Sequence, residues 1–259
     1  MSAVLENTSS LVSAEKLEFF AENGWVLFEQ LVPAAEVAAL NQRVDELIEG
    51  VKFPERSKIC VQWDKSLLPQ LEAGKITKAD AVRKLHYLHA EDDLFRAHVT
   101  NPKILDIANA LVGPGIRYYG DQLFAKPAFH GGEKPWHQDH AYWPVDPQNM
   151  VSCWAALDDA TKDNGCMRFI PGSHKAPLIE HKQIRDWQVE DSKIDESKAV
   201  YQEMKAGDCL FHHSKTLHAT HPNKSPFRRR GMVSIYMNAA STPTKKEEPA
   251  PVWPLFRKA

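Results

Sequence analysis

The chain has 259 residues, with 32 basic and 34 acidic side chains and a formal charge of −2. With 25% charged and 43% hydrophobic residues it has an ordinary globular composition, and a chain this long buries about 73% of its unfolded surface without staples. The near-neutral balance argues against a dedicated nucleic-acid or anionic-membrane binder, and no apolar run approaches the roughly 18 residues of a membrane span.

Met1 to Ser10 is polar and lacks the basic-then-apolar pattern of a secretory signal. Cys60, Cys153, Cys166 and Cys209 are scattered, with no CxxC pair and no disulfide-framework spacing. They read as reduced, mostly buried thiols of a cytoplasmic protein.

The first fifty residues predict helix, strand, helix. Ser13 is placed to cap a first helix, with Glu15 in its first turn and Asn23-Gly24 at its end. Trp25-Val26-Leu27-Phe28 reads as a short buried strand. Pro33 opens a second helix, in which Val37, Leu40, Val44, Leu47 and Ile48 keep helical spacing. Residues 51–85 are mixed and charged, with a short helix after Lys75, and read as an elaboration. A further helix runs from Asn101-Pro102 to Gly113-Pro114-Gly115.

From Ile116 the character changes. Short β-branched and aromatic runs at 116–128, 136–143, 151–158, 166–170, 208–213 and 231–237 alternate with turn clusters, the rhythm of a β-sandwich or barrel. Asp163-Asn164-Gly165 is the strongest turn signal and leads from the Trp154 strand to the run Met167–Ile170. The polar stretch Glu180 to Val200 reads as a surface loop, with a mobile lid over a site as the alternative. The proline-rich tail after Ser241, with Lys245-Lys246-Glu247-Glu248, reads as an extended strap ending in Trp253 and Phe256.

Twelve histidines stand out, and several cluster around one motif, Trp136-His137-Gln138-Asp139-His140. In a strand, His137 and Asp139 point the same way, about 6.6 Å apart along the chain, and can grip one metal from one side. A further histidine arrives in Phe211-His212-His213-Ser214-Lys215-Thr216-Leu217-His218. Two histidines and one carboxylate leave three adjacent positions of an octahedral ion open, the facial triad of non-heme Fe(II) oxygenases, which suits a bidentate 2-oxo acid and O₂. His212, His213 and His221 compete with His218 for the third position. In Arg228-Arg229-Arg230, at the start of an apolar strand, Arg229 faces opposite to its neighbours, and a guanidinium suits the far carboxylate of a bound diacid.

Together these motifs resemble the phytanoyl-CoA dioxygenase family of Fe(II)/2-oxoglutarate-dependent oxygenases, closest to its domain-containing branch. The resemblance rests on KPAFHGGEKPWHQDHAYWPVDP, SCWAALDDATKDNGCMRFIPGSH, GDCLFHHSKTLHATHPNKSPFRRR and LHYLHAEDDLF, and runs from FFAENGWVLFEQLV to about Met237. It implies a mainly β fold with flanking helices, a double-stranded β-helix (jelly-roll, cupin-like) core. A single domain over 1–259 is expected, with helical N-terminal support over 1–115, the core over 116–240 and the strap over 241–259. By the same resemblance His137, Asp139 and His218 are the iron ligands and Arg229, eleven residues after His218, holds 2-oxoglutarate. Trp154, Gln122, Thr220 and, one position off the family pattern, Lys84 are its further contacts. Asp139 is retained where related halogenases have Ala or Gly, which implies a hydroxylating member.

His140, Tyr142 and Trp143 follow the metal motif and are expected at the pocket mouth, with His86 and His89 as further substrate candidates. His174, in Pro171-Gly172-Ser173-His174, reads as a turn residue. The expected reaction is hydroxylation of an unactivated C–H of a small molecule, consuming O₂ and 2-oxoglutarate and releasing succinate and CO₂, with ascorbate as a supporting reductant. Two other classes keep the same ligands: a sensing module without a C–H substrate, and a metal-dependent β-barrel hydrolase or isomerase. A monomer or homodimer is expected, without nucleic-acid or membrane partners.

Overall fold

Ser13 caps helix α1 (Ala14–Asn23) through its Oγ, which accepts the Lys16 amide at 3.3 Å, and Gly24 ends it at φ +92°. The computed structural model describes residues 11–51, 58–143, 145–244 and 253–258. Strand β1 (Trp25–Phe28) leads to α2 (Ala34–Glu49), whose buried face is Val37, Leu40, Val44, Leu47 and Ile48, the five positions its spacing marked. Then come β2 (Cys60–Trp63), α3 (Leu68–Glu72), α4 (Lys78–Ala81), β3 (Val82–His86), α5 (Leu88–Glu91) and α6 (Asp93–Val99). Asn101 caps α7 (Pro102–Val112), with proline in the first turn, where no amide is needed.

The remaining strands are β4 (Ile116–Lys126), β5 (Lys134–His137), β6 (Val145–Asp146), β7 (Met150–Ala156), β8 (Met167–Phe169), β9 (His181–Gln183), β10 (Trp187–Val189), β11 (Val200–Gln202), β12 (Cys209–His213), β13 (His218–Thr220), β14 (Arg229–Asn238), β15 (Thr242–Pro243) and β16 (Leu255–Arg257). The major sheet runs β1-β12-β7-β14-β4-β3-β2, with β16 on β4; the minor sheet runs β11-β8-β13-β5. All their pairings are antiparallel, and the two sheets enclose a double-stranded β-helix core.

Two cores explain why the central strands are apolar on both faces. Cys153 and Ala155 of β7, Phe211 of β12 and Met232 and Tyr236 of β14 point outward under α2 and α7. Their alternates, Trp154, Leu210, Val233 and Ile235, point inward between the sheets. A strand covered on both sides loses the polar half of its alternation, and β14 is buried from Arg229 to Met237.

The structure corrects three expectations. The N-terminal third is not only helical support: β1, β2 and β3 extend the major sheet. The motif run 136–143 is not one strand, since β5 ends at His137 and Asp139 opens a 3-10 turn, Asp139–Ala141. Gln138 between them stays extended (φ −119°, ψ 123°), so the two side chains still share a face. Residues 180–200 hold a β9–β10 hairpin and two 3-10 turns rather than a plain loop. Near the C-terminal end Phe256 stacks on Tyr118 (4.8 Å) and Trp253 lies near Tyr119 (5.6 Å). Residues 1–10 and Lys245 to Glu248 lie outside the described residues.

Candidate active site

Antiparallel pairing of β5 with β13 sets His218 directly opposite His137. Cross-strand partners present their side chains to the same face, and the two imidazoles stand 4.1 Å apart, centroid to centroid. Asp139 closes the group: its Oδ1 lies 3.5 Å from His137 Nε2 and 3.7 Å from His218 Nε2. His137, Asp139 and His218 are the one set among the described residues whose donor atoms could hold a metal ion, all within 4.8 Å of one another.

The donor chemistry fits a divalent metal. Each imidazole gives its Nδ1–H to a backbone carbonyl, His137 to Pro135 (2.8 Å) and His218 to Thr216 (2.9 Å), so both Nε2 lone pairs face the centre. Burial holds both histidines below their ordinary range, hence neutral. Burial alone would raise the Asp139 carboxyl, but His218, His137 and His212 around it hold it well below the usual carboxylate range. Neutral imidazoles and an ionised carboxylate are the forms that ligate.

His212 is not a fourth member of that set. Its Nε2 donates to Asp139 Oδ2 at 3.0 Å, and Ser152 Oγ donates to the same oxygen at 3.0 Å. Oδ2 is thus occupied while Oδ1 faces the imidazoles. Neither residue's role was legible in sequence, because the signal is purely spatial: His212 and Ser152 are cross-strand partners of β12 and β7. His213 packs near His174 (5.5 Å) and is pushed down to about 3 by burial. His221 meets the Tyr201 hydroxyl at 2.9 Å.

Above the centre opens a cleft of about 790 Å³, counting the part open to solvent. The major sheet lines it with Lys84, Gln122, Trp154 and Arg229, and β13 adds Thr220. The Arg229 guanidinium is buried, lies over the Trp154 ring at 5.0 Å, and donates to Gly165 O from Nε (3.2 Å) and Nη2 (2.6 Å). That carbonyl belongs to the Asp163-Asn164-Gly165 turn, where Gly165 has φ +82° and a Cβ would meet His221 O at 2.3 Å. Burial brings Arg229 down to about 10, still charged at neutral pH. Its neighbours turn away, Arg230 to Asp158 (2.9 Å) and Asp45 (2.8 Å), Arg228 to Asp45 (3.3 Å). Thr220 Oγ1 is buried in the lining without a hydrogen-bond partner among the described residues.

Trp143 lines the cleft, whereas His86, His140 and Tyr142 are not among the lining residues. The 3-10 turn swings His140 into the protein, its Nδ1 3.4 Å from Ser214 Oγ. Tyr142 spends its hydroxyl on Trp187 O (2.7 Å), though its ring stands edge-on to His137 at 6.1 Å. His86 is half-buried beside Tyr87 (6.2 Å), and His89 gives its Nδ1 to buried Asp121 (2.5 Å). Three cationic residues that sequence reading did not single out also line the cleft: Arg83, Lys126 and Lys134.

The phytanoyl-CoA dioxygenase (PhyH) family model matches residues 20–231, most of the chain. The chain belongs to the phytanoyl-CoA dioxygenase family. A probable phytanoyl-CoA dioxygenase of Caenorhabditis elegans is 27% identical over 246 residues, covering 88% of this chain and 76% of the relative. A probable alpha-ketoglutarate-dependent hypophosphite dioxygenase of Stutzerimonas stutzeri is 27% identical over 242 residues, covering 89% and 80%. Among solved structures, the non-heme monooxygenase ThoJ superposes with a TM-score of 0.72 at 28% identity, covering 94% of this chain and 84% of that one. This phytanoyl-CoA dioxygenase family member is an enzyme, an iron- and 2-oxoglutarate-dependent dioxygenase with the cupin-like jelly-roll fold. Among the described residues no helix is long and apolar enough to cross a membrane.

Proposed function

We propose that the chain hydroxylates an unactivated C–H bond of a small molecule at the His137–Asp139–His218 centre. The observation that carries this is the convergence of those three donors under a cleft whose far wall is a buried arginine with no carboxylate partner among the described residues. His137 and His218 Nε2 and Asp139 Oδ1 would hold iron(II). Arg229 would take the far carboxylate of 2-oxoglutarate, with Trp154 flanking it. The unpartnered Thr220 Oγ1, Gln122 and Lys84 offer further polar contacts. When bound, iron(II) and 2-oxoglutarate supply the oxidising power, with O₂ consumed and succinate and CO₂ released.

The protein's own work is orientation and exclusion of water. His212 and Ser152 pin one oxygen of Asp139, and the Gly165 carbonyl aims Arg229. Trp143, Trp154 and Val233 make the cleft partly apolar. No protein acid or base is needed at the reacting carbon. Because β1, β2 and β3 share a sheet with β7 and β14, the whole chain, not residues 116–240 alone, serves as the catalytic unit in this reading. We place it in the cytoplasm, as a monomer or homodimer without nucleic-acid or membrane partners.

The test is a metabolite screen with enzyme, Fe(II), ascorbate and 2-oxoglutarate, read by mass spectrometry. A compound that gains one oxygen atom with one succinate formed per turnover is the expected result. Slow succinate formation that no compound accelerates would instead favour a sensing role.

A further inference from the structure

The cleft holds more positive charge than iron and 2-oxoglutarate use. Iron(II) and Arg229 together balance Asp139 and the two carboxylates of 2-oxoglutarate. Lys126 is committed to backbone, donating to Gly132 O and to His221 O (2.6 Å). Glu133, the other carboxylate of the lining, is engaged by Arg185 at 2.7 Å. Lys84, Lys134 and Arg83 remain, and the last two share a single carboxylate oxygen. Asp186 Oδ2 accepts from Lys134 Nζ at 2.8 Å and Arg83 Nη2 at 3.1 Å. Lys84 makes no ion pair among the described residues; its Nζ sits over the Phe124 ring at 4.5 Å. Burial, with Lys134 and Arg83 adding to it, brings its ammonium down to about 8.

Asp186 stands at the tip of the β9–β10 hairpin and meets the cleft through the two lining residues it binds, Lys134 and Arg83, while the Trp187 amide donates to its Oδ1 (2.8 Å). Lys134 is steadied from below by the Tyr142 hydroxyl (3.0 Å) and lies 5.2 Å from that ring's centroid. The same ring stands 6.1 Å from the His137 imidazole. A charge held at Lys134 is therefore one tyrosine ring away from the metal donors, within the reach of a small molecule.

We propose that Lys134 and Arg83 form an anion subsite at the cleft mouth, so that the substrate is a small organic anion whose carboxylate, sulfonate or phosphate group docks there, in competition with Asp186. The word substrate rests on the oxygenase reading of this cleft; the anion subsite does not.

The test titrates anaerobic protein loaded with Fe(II) and 2-oxoglutarate with hexanoate, with inorganic sulfate, and with hexanamide as the neutral control, by calorimetry. Loading with 2-oxoglutarate keeps Arg229 from serving as the anion site. Hexanoate and sulfate should bind and hexanamide should not. The Lys134→Gln/Arg83→Gln double variant should weaken anion binding about tenfold or more, and Asp186→Asn should tighten it by removing the internal competitor. No measurable anion binding to the parent protein, equal binding of hexanoate and hexanamide, or an unchanged affinity in the double variant would each overturn the proposal. A charge-transfer absorption on loading reports the oxygenase reading separately. If that band is absent while the metal-free protein still binds sulfate in a Lys134-dependent way, the oxygenase reading fails and the anion subsite stands.

Discussion

At the residue scale, the two oxygens of Asp139 do different work. One faces the imidazoles, and the other is held by His212 and Ser152. Outer hydrogen bonds of this kind typically set metal affinity by about 10–100-fold. The His212→Ala/Ser152→Ala double variant should therefore weaken Fe(II) affinity by about that factor while the fold is kept, as read by anaerobic metal titration beside circular dichroism. A second residue prediction concerns close approach. The Trp154 ring lies flat against Gly231, where a Cβ would fall 2.0 Å from Cζ2. Gly231→Ala should cost about 1–3 kcal/mol, the usual range for overpacking, and weaken 2-oxoglutarate binding as Trp154 moves; urea denaturation and a 2-oxoglutarate titration read the two effects. The HxD motif was legible because its two side chains lie two residues apart in extended chain, whereas His218 and Arg229 were singled out by the family resemblance, since His218 meets His137 only through the β5–β13 pairing. His212 and Ser152 were not, because only the β12–β7 register brings them to Asp139.

At the element scale, the β9–β10 hairpin is fixed by polar contacts as well as by one apolar anchor, Val189, buried against Trp136 and Leu217. Buried Gln138, next to the metal motif, accepts from the Ile179 amide (2.9 Å) and donates to Lys215 O (2.7 Å), and its own amide donates to His181 Nε2 (2.9 Å). Gln138→Ala should loosen the hairpin without unfolding the sheets, since it removes the side-chain tie to the Ile179 amide and leaves the main-chain bond to His181. Faster amide exchange confined to 179–189 is the expected signature, and unchanged protection there would contradict it. These long-range polar ties explain why 180–200 read as a surface loop: few apolar anchors mark it, and its partners lie some forty residues away. The capped helices α1, α2 and α7 were readable because capping and 3.6-residue spacing are local. β2 and β3 were not, because β2 is a half-exposed edge strand whose pairing with β3 depends on the sheet beyond it.

At the scale of the whole molecule, buried charge trades stability for binding. Burial pushes the Lys84 ammonium down from an ordinary 10.5 to about 8. Between those values the unfolded chain binds more protons than the folded one, so stability rises with pH across that window, and the penalty is complete below it. Lys84→Met should therefore stabilise the protein by about 1–3 kcal/mol near neutral pH, an advantage that shrinks as pH climbs from 8 to 10.5; chemical denaturation at pH 7 and pH 10 checks it. The near-neutral net charge concealed this concentration, since a count over the whole chain cannot show five cations converging on one cleft. Metal and co-substrate act on the same balance in the opposite sense, since whatever binds only the folded state stabilises it.

The measurement that bears most directly on the central claim is an anaerobic titration of the protein with Fe(II) and then 2-oxoglutarate, followed by visible absorption. A charge-transfer band should develop at one iron and one 2-oxoglutarate per chain. His137→Ala should abolish it, and Arg229→Ala should demand much more 2-oxoglutarate to reach it. Parent protein that shows no band under these conditions would contradict the account.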